Sequence, residues 1–285
     1  MNVIIEDESK KNNKLKILYI GILAICIISI IVAVVIQVTG EKDENSGKGS
    51  KLPELTDEQL GEYKEQFNNI FKNKVNYLEN NSYKISKVET DKEIVYLGYQ
   101  NNESKINDFE LNVNIPYINI NNDIANEFNT QIKEIFEKKA KSILNSQNNN
   151  VIYTVDYGAY VSNNILSVVV RSTLKEGTNP QRDIVQTYNY DLSNQKKCTI
   201  EDMLELKGIT QKEANQKIKE EIKKAQERDE KLEELGYTIY PRDYTSDMYS
   251  INNVTEYFMG EENSLYIVYA YGNENHTNQM DIVVM

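Results

Sequence analysis

One histidine, two cysteines and no tryptophan stand in a chain of 285 residues, and the scarcities remove whole classes of chemistry. A lone His276 cannot build a metal site that needs two imidazoles from one chain, and Cys26 and Cys198 lack a CxxC spacing, so no metal or other cofactor is expected. Nor can two cysteines make a disulfide framework. Cys26 falls inside a long apolar run and Cys198 far outside it, so a bridge within one molecule is not expected. A repeat of fixed period is also missing, which argues against a solenoid or propeller. The absence of tryptophan accompanies abundant Asn, Lys, Ile and Tyr, the residue usage of an AT-rich bacterial genome. That is an inference about codons, and it frames the chain as a bacterial envelope protein.

What is present begins with 22 uncharged residues, Ile17 to Val38. As a helix at about 1.5 Å per residue they span roughly 33 Å, matching the ~30 Å hydrocarbon core of a bilayer. Lys10, Lys11, Lys14 and Lys16 precede the run, and Glu41, Lys42, Asp43 and Glu44 follow it. The positive-inside rule then places residues 1–16 in the cytoplasm and the remainder outside. A cleaved signal peptide would have a shorter apolar region and a small-residue cleavage site, and Val38-Thr39-Gly40 is a poor one. The expected organisation is a cytoplasmic tail (1–16), a single transmembrane helix (17–38), a flexible tether (39–53), a helix-strands-helix subdomain (54–150) and a strand-rich α+β subdomain (151–285).

The tail carries four lysines against Glu6, Asp7 and Glu8, a charge of +1, so the rest of the chain carries −12 − 1 = −13. An acidic outer domain repels nucleic acid and attracts cationic ligands.

Beyond the tether, Thr56-Asp57-Glu58-Gln59 has the form of a capping box. Leu60, Tyr63, Phe67, Ile70, Phe71, Val75 and Leu78 follow at helical spacing, predicting a helix to about Asn80. Strand-like runs come next at Tyr83–Val88, Glu93–Tyr99 and Phe109–Ile120, and Pro116 in the last suggests an edge or a bend. A second amphipathic helix starts near Asp123. Val151, Tyr153, Val155 and Tyr157 alternate, and an Asn163-Asn164 turn leads to runs at Ile165–Leu174 and Ile184–Leu192, an antiparallel meander. Thr199-Ile200-Glu201-Asp202 and Thr210-Gln211-Lys212-Glu213 are further capping boxes, and strands at Leu265–Tyr271 and Asp281–Met285 close the chain. The fold class is α+β, an antiparallel sheet with packed helices.

No catalytic constellation emerges. Cys198 with His276 would be a nucleophile and base, but Lys196-Lys197-Cys198-Thr199 sits just ahead of a helix cap, where a structural cysteine is the simpler reading. Adjacent Glu201 and Asp202 diverge by about 100° on a helix, and a capping role accounts for Asp202. Surface loops are the natural place for a binding site. The candidates are Glu176, Gly177 and Asn179 in one loop, with Tyr269, Tyr271, Gly272, Asn273 and Asn275 in another. Tyr269 and Tyr271 share a strand face, and core packing competes with binding as their use.

The order of Ile115-Pro116-Tyr117-Ile118, an Asn-rich amphipathic helix, and a tyrosine-rich meander ending N-Y-D-L-S-N-Q-K-K-C-T-I-E-D-M-L (189–204) resembles a pair of bacterial extracytoplasmic modules. They occur in RsiV-like anti-sigma factors and in the N-terminal region of PdaC-type peptidoglycan deacetylases. The resemblance spans roughly residues 83–285. It implies a receptor, since in the anti-sigma members the module binds lysozyme, a cationic protein. Two departures qualify it: Glu176-Gly177-Thr178-Asn179 replaces the frequent Gly-Gly-Ala-His turn, and a 16-residue tail is short for a sigma-binding domain. The expected function is a non-enzymatic, membrane-anchored binding or sensing module whose partner is lysozyme or another cationic wall-associated ligand. The alternatives are a divergent cell-wall hydrolase or accessory domain of peptidoglycan modification, and an anti-sigma factor. Oligomeric state is not legible.

Overall fold

Three long strands, two of them buried on both faces over half their length, organise the molecule. β5 (Val151–Ser162), β6 (Ile165–Glu176) and β7 (Arg182–Asp191) pair antiparallel in chain order. The β5–β6 turn is Asn163-Asn164, both at positive φ (49° and 65°), as the tight two-residue hairpin requires. The computed structural model describes residues 67–77, 85–236, 242–270 and 280–285, all within the compact unit Leu55–Met285. The expected membrane segment, 17–38, lies outside them, and among the described residues no helix is long and apolar enough to cross a membrane.

The fold is α+β, but its main sheet is mixed rather than antiparallel. Its path runs β2 (Val95–Asn101), β4 (Phe109–Ile118), β5, β6, β7 and β8 (Lys196–Lys197), with β1 (Lys74–Tyr77) on β5 and β3 (Ser104–Lys105) on β4. Both β4 and β1 run parallel to β5. The first parallel pairing follows from the connection: α1 (Asp123–Ile132), a π-helical turn (Lys133–Glu137) and α2 (Lys138–Leu144) carry the chain across the sheet before β5 begins. That pairing makes the sheet continuous across the expected subdomain boundary at residues 150 and 151.

Two expected elements differ. The first helix was to reach Asn80, but Asn73 adopts φ 54° and Lys74–Tyr77 is strand β1. The Asn73 side chain donates to Asp156 Oδ1 at 2.8 Å and accepts from Tyr157 N–H at 3.0 Å, bonds that a helical turn could not offer. Residues 85–88 are loop instead of strand, because the amides of Val88 and Glu89 donate to the Asn119 side chain at 3.0 and 2.8 Å.

One face of the sheet presents Val155, Ala159, Leu166, Val168 and Tyr188 to Phe128, Ile132, Phe136 and Ala140 of the helical layer, all buried. Those helical positions recur every four residues and would drift about 40° per step around an α-helix of 3.6 residues per turn. The π turn takes up the excess and returns Phe136 and Ala140 to the sheet. Each large apolar side chain so buried contributes about 1.5–3 kcal/mol.

The opposite face packs Tyr160, Val169 and Val185 against a second sheet. This sheet is three-stranded and antiparallel: β9 (Glu256–Met259), β10 (Leu265–Ala270) and β11 (Met280–Val284), with β10 central. β9 turns its free edge into the main sheet, where side chains satisfy it. Asn189 Nδ2 donates to Tyr257 C=O at 2.7 Å, Met259 N–H donates to Ser167 Oγ at 3.0 Å, and Ser167 Oγ–H donates to Asn189 Oδ1 at 2.7 Å. Helices α3 (Ile200–Leu206) and α4 (Gln211–Glu234) both open with the expected capping boxes. Arg242 then ties α4 to β11 through Asp229 and Asp281, the latter at 2.8 Å.

Asn189→Ala strands the Tyr257 carbonyl and the Ser167 hydroxyl in the interior, and is expected to lower the unfolding free energy by about 2–4 kcal/mol. Urea unfolding of the Leu55–Met285 unit measures it.

Candidate functional site

β7 has an open edge. The Asn189 carbonyl accepts from Cys198 N–H at 2.9 Å, which sets the odd-numbered backbone groups of β7 outward, while Leu192 N–H, two residues in phase with the even set, donates inward to Asn164 at 2.8 Å. β8 pairs only with Tyr190 and Asp191. Among the described residues no strand lies beside Arg182 to Tyr188 on the outer side.

Beside this edge lies a cavity of about 620 Å³. Ile135 and Lys139 of the helical layer wall it on one side, and Thr255, Glu256, Val268 and Met280 wall it on the other. Arg182, Asp183, Ile184 and Val185 of β7 line it together with Tyr153 of β5 and Ser172 and Leu174 of β6. Ile184 is 45% exposed, a large apolar side chain left uncovered on a sheet edge.

Glu256 is the chemically unusual member. It stands opposite Val268 in the β9–β10 ladder, and its Oε1 accepts from Gln186 Nε2 at 3.3 Å. Oε2 is buried without a hydrogen-bond partner. Burial pushes the carboxyl up to about 7, and hydrogen bonding from the Thr187 side chain and backbone, with the Lys197 charge, offsets only part of that. Asp183 is also held above the usual carboxylate range by burial, against the hydrogen bonds of Thr173 and Gln181 and the charge of Arg171. The lining residues Lys139 and Arg182 are bridged by Glu176, which accepts from them at 2.7 Å and 2.9 Å; the Lys139 bond chiefly holds its carboxyl below the ordinary value.

The sequence candidates divide. Glu176 bridges Lys139 and Arg182, two residues that line this cavity. Gly177 serves the β6–β7 turn at φ 55°, its N–H donating to Asn150 C=O at 3.2 Å, and Asn179 N–H closes the same turn onto Glu176 C=O at 3.0 Å. Tyr269 is in the core of the second sheet at 3% exposure, edge-on to Tyr249, with its hydroxyl donating to Ser250 C=O at 3.2 Å. Tyr271, Gly272, Asn273, Asn275 and His276 lie outside the described residues. Cys198 is 1% exposed, and burial with the nearby Asp202 and Asp191 charges pushes its thiol up to about 12, overriding the Lys196 charge that favours the thiolate. A thiol in that state is a poor nucleophile.

No family model matches the chain. No curated protein matches it either. Among solved structures it is similar to a DUF3298 family protein from Pseudomonas aeruginosa PAO1, with 10% identity and a TM-score of 0.39 over 72% of this chain and 90% of that one. It is similar also to a DUF3298 family member from Bacteroides fragilis, with 12% identity and a TM-score of 0.30 over 61% of this chain and 80% of that one. Likeness at this level bears on neither activity nor ligand. The resemblance to RsiV-like and PdaC-type modules has no counterpart in these matches.

Sequence reasoning missed Glu256 and the open edge. β9 is only four residues long, and its one signal is the apolar triplet Tyr257-Phe258-Met259 ahead of Gly260.

Because the folded-state value of Glu256 lies above its ordinary 4.5, the folded chain keeps this proton between about pH 4.5 and 7 while the unfolded chain releases it. Its contribution to stability therefore falls as pH rises through that window and is constant above it. Glu256→Gln should raise stability near pH 8 by about 1–3 kcal/mol and change little near pH 5. Urea unfolding of both proteins at the two pH values checks this, and their difference separates Glu256 from Asp183.

Proposed function

We propose that the chain is a membrane-tethered binding module of a bacterial envelope, with residues 1–16 in the cytoplasm and the α+β unit outside, and that it engages a cationic protein ligand. The observation that carries this reading is the cavity beside the β7 edge, whose wall holds a buried carboxylate oxygen with no hydrogen-bond partner. A cation supplies what that oxygen lacks. The sequence supports the same polarity, since the chain after the tail carries −13. Such a field raises the association rate of a basic partner and weakens with salt. Lysozyme is the cationic ligand that the sequence resemblance brings forward. The poor nucleophilicity of Cys198 weighs against a cysteine hydrolase.

Titration calorimetry of residues 55–285 with lysozyme is expected to give saturable heat whose affinity falls between low and moderate salt. Flat traces at both salts overturn lysozyme as the ligand. A reporter enzyme fused after Met285 is expected to be active only on the outer side of the membrane, and activity confined to the cytosol overturns the topology.

A further inference from the structure

We propose that the cavity receives an extended polypeptide segment with alternating basic and apolar residues, which adds as a strand to the free edge of β7 and pairs a basic side chain with Glu256. This rests on the binding-module reading and gives it a site and a mode of recognition.

The backbone comes first. With the odd positions outward, the N–H and C=O groups of Asp183 and Val185 face the cavity, about 7 Å apart along the strand. The Val185 carbonyl takes a 3.2 Å bond from the Gln186 side chain, which an incoming amide can displace. An edge left open to solvent is normally blunted by charged side chains, above all lysine, by proline, by a bulge or by a covering loop, and here Asp183 is the one charge between 183 and 187. Between Asp183 and Thr187 the sequence is D-I-V-Q-T, with neither lysine nor proline, and the β6–β7 register runs without a shift. The edge is thus competent for pairing.

Those walls specify the side chains. Successive residues of an added strand point to opposite faces. On the helical side they meet Ile135 and the exposed Ile184, an apolar surface bordered by Lys139, whose ammonium is already paired with Glu176. On the side of the second sheet they meet Glu256, whose Oε2 lacks a donor. An alternation of apolar and basic residues therefore matches both walls at once, whereas a free amine satisfies only the carboxylate.

The probe is a fluorescein-labelled synthetic peptide of about nine residues alternating lysine with valine, enough to span the open edge. Titrated with the Leu55–Met285 unit, it is expected to give saturable anisotropy. Glu256→Gln should weaken binding about tenfold or more, and the peptide should slow hydrogen exchange at the Asp183 and Val185 amides. A glutamate-for-valine peptide, which keeps the lysines but loses the apolar face, should bind more weakly. The proposal is overturned if the peptide does not bind, if Glu256→Gln binds it equally, or if those two amides exchange unchanged in the complex. It is overturned too if they are already protected, in proportion to protein concentration, in the protein alone, since the occupant is then a second copy. Saturable lysozyme heat without peptide binding removes this site and leaves the binding module standing; loss of both removes both.

Discussion

Every sheet must end somewhere, and the unpaired backbone at its last strand has to find partners. For β9, the last strand of the three-stranded sheet, that requirement is met by side chains on the face of the main sheet. Ser167, Thr187 and Asn189 stand on the inner face of β6 and β7, positions where an all-apolar layer would bury more surface. They meet β9 instead, and the two sheets lock in one register because a hydrogen-bonded strand cannot slide as an apolar surface can. A buried polar group is costly when unmatched and specific when matched. The second sheet, the position of Glu256 and the wall of the cavity all follow from that contact.

The helical face obeys a different constraint. Burying Phe128, Ile132, Phe136 and Ala140 against one flat layer demands a four-residue period, and the chain departs from α geometry at Lys133–Glu137 to obtain it. The same crossover places β4 alongside β5 in parallel. On the far side of β4, β2 bulges between Leu97 and Tyr99, where Gly98 lies under the Tyr117 ring; a Cβ there would come within 2.2 Å of it.

Strands with long alternation were legible in the sequence, as in Val151-Tyr153-Val155-Tyr157, where one residue type per face declares both the period and the buried side. Helix starts were legible where Thr199 and Thr210 face an acid three residues on, because a cap is a local interaction. What escaped depends on distant partners. Asn73 ends the helical period by bonding β5 more than eighty residues away. Pairing direction is likewise invisible, since β4 carries the same alternation whether its neighbour runs with or against it. Glu256 reads as an ordinary surface acid until β9 is placed, and for Tyr269 the sequence leaves core packing and binding in competition until the second sheet encloses it. Glu176 stands out in the sequence because it flanks a turn, whereas its ion-pair partners Lys139 and Arg182 are joined to it only by the fold.

The fastening of Asn73 also bears on mechanics. Its side chain and amide grip β5 at Asp156 and Tyr157, the midpoint of the longest hairpin, and β1 continues parallel to β5 from there. Tension arriving from the N-terminal side therefore loads a strand in the body of the main sheet along its own axis. Parallel strands pulled lengthwise resist by shearing several hydrogen bonds together, whereas a flap at the margin would peel one bond at a time.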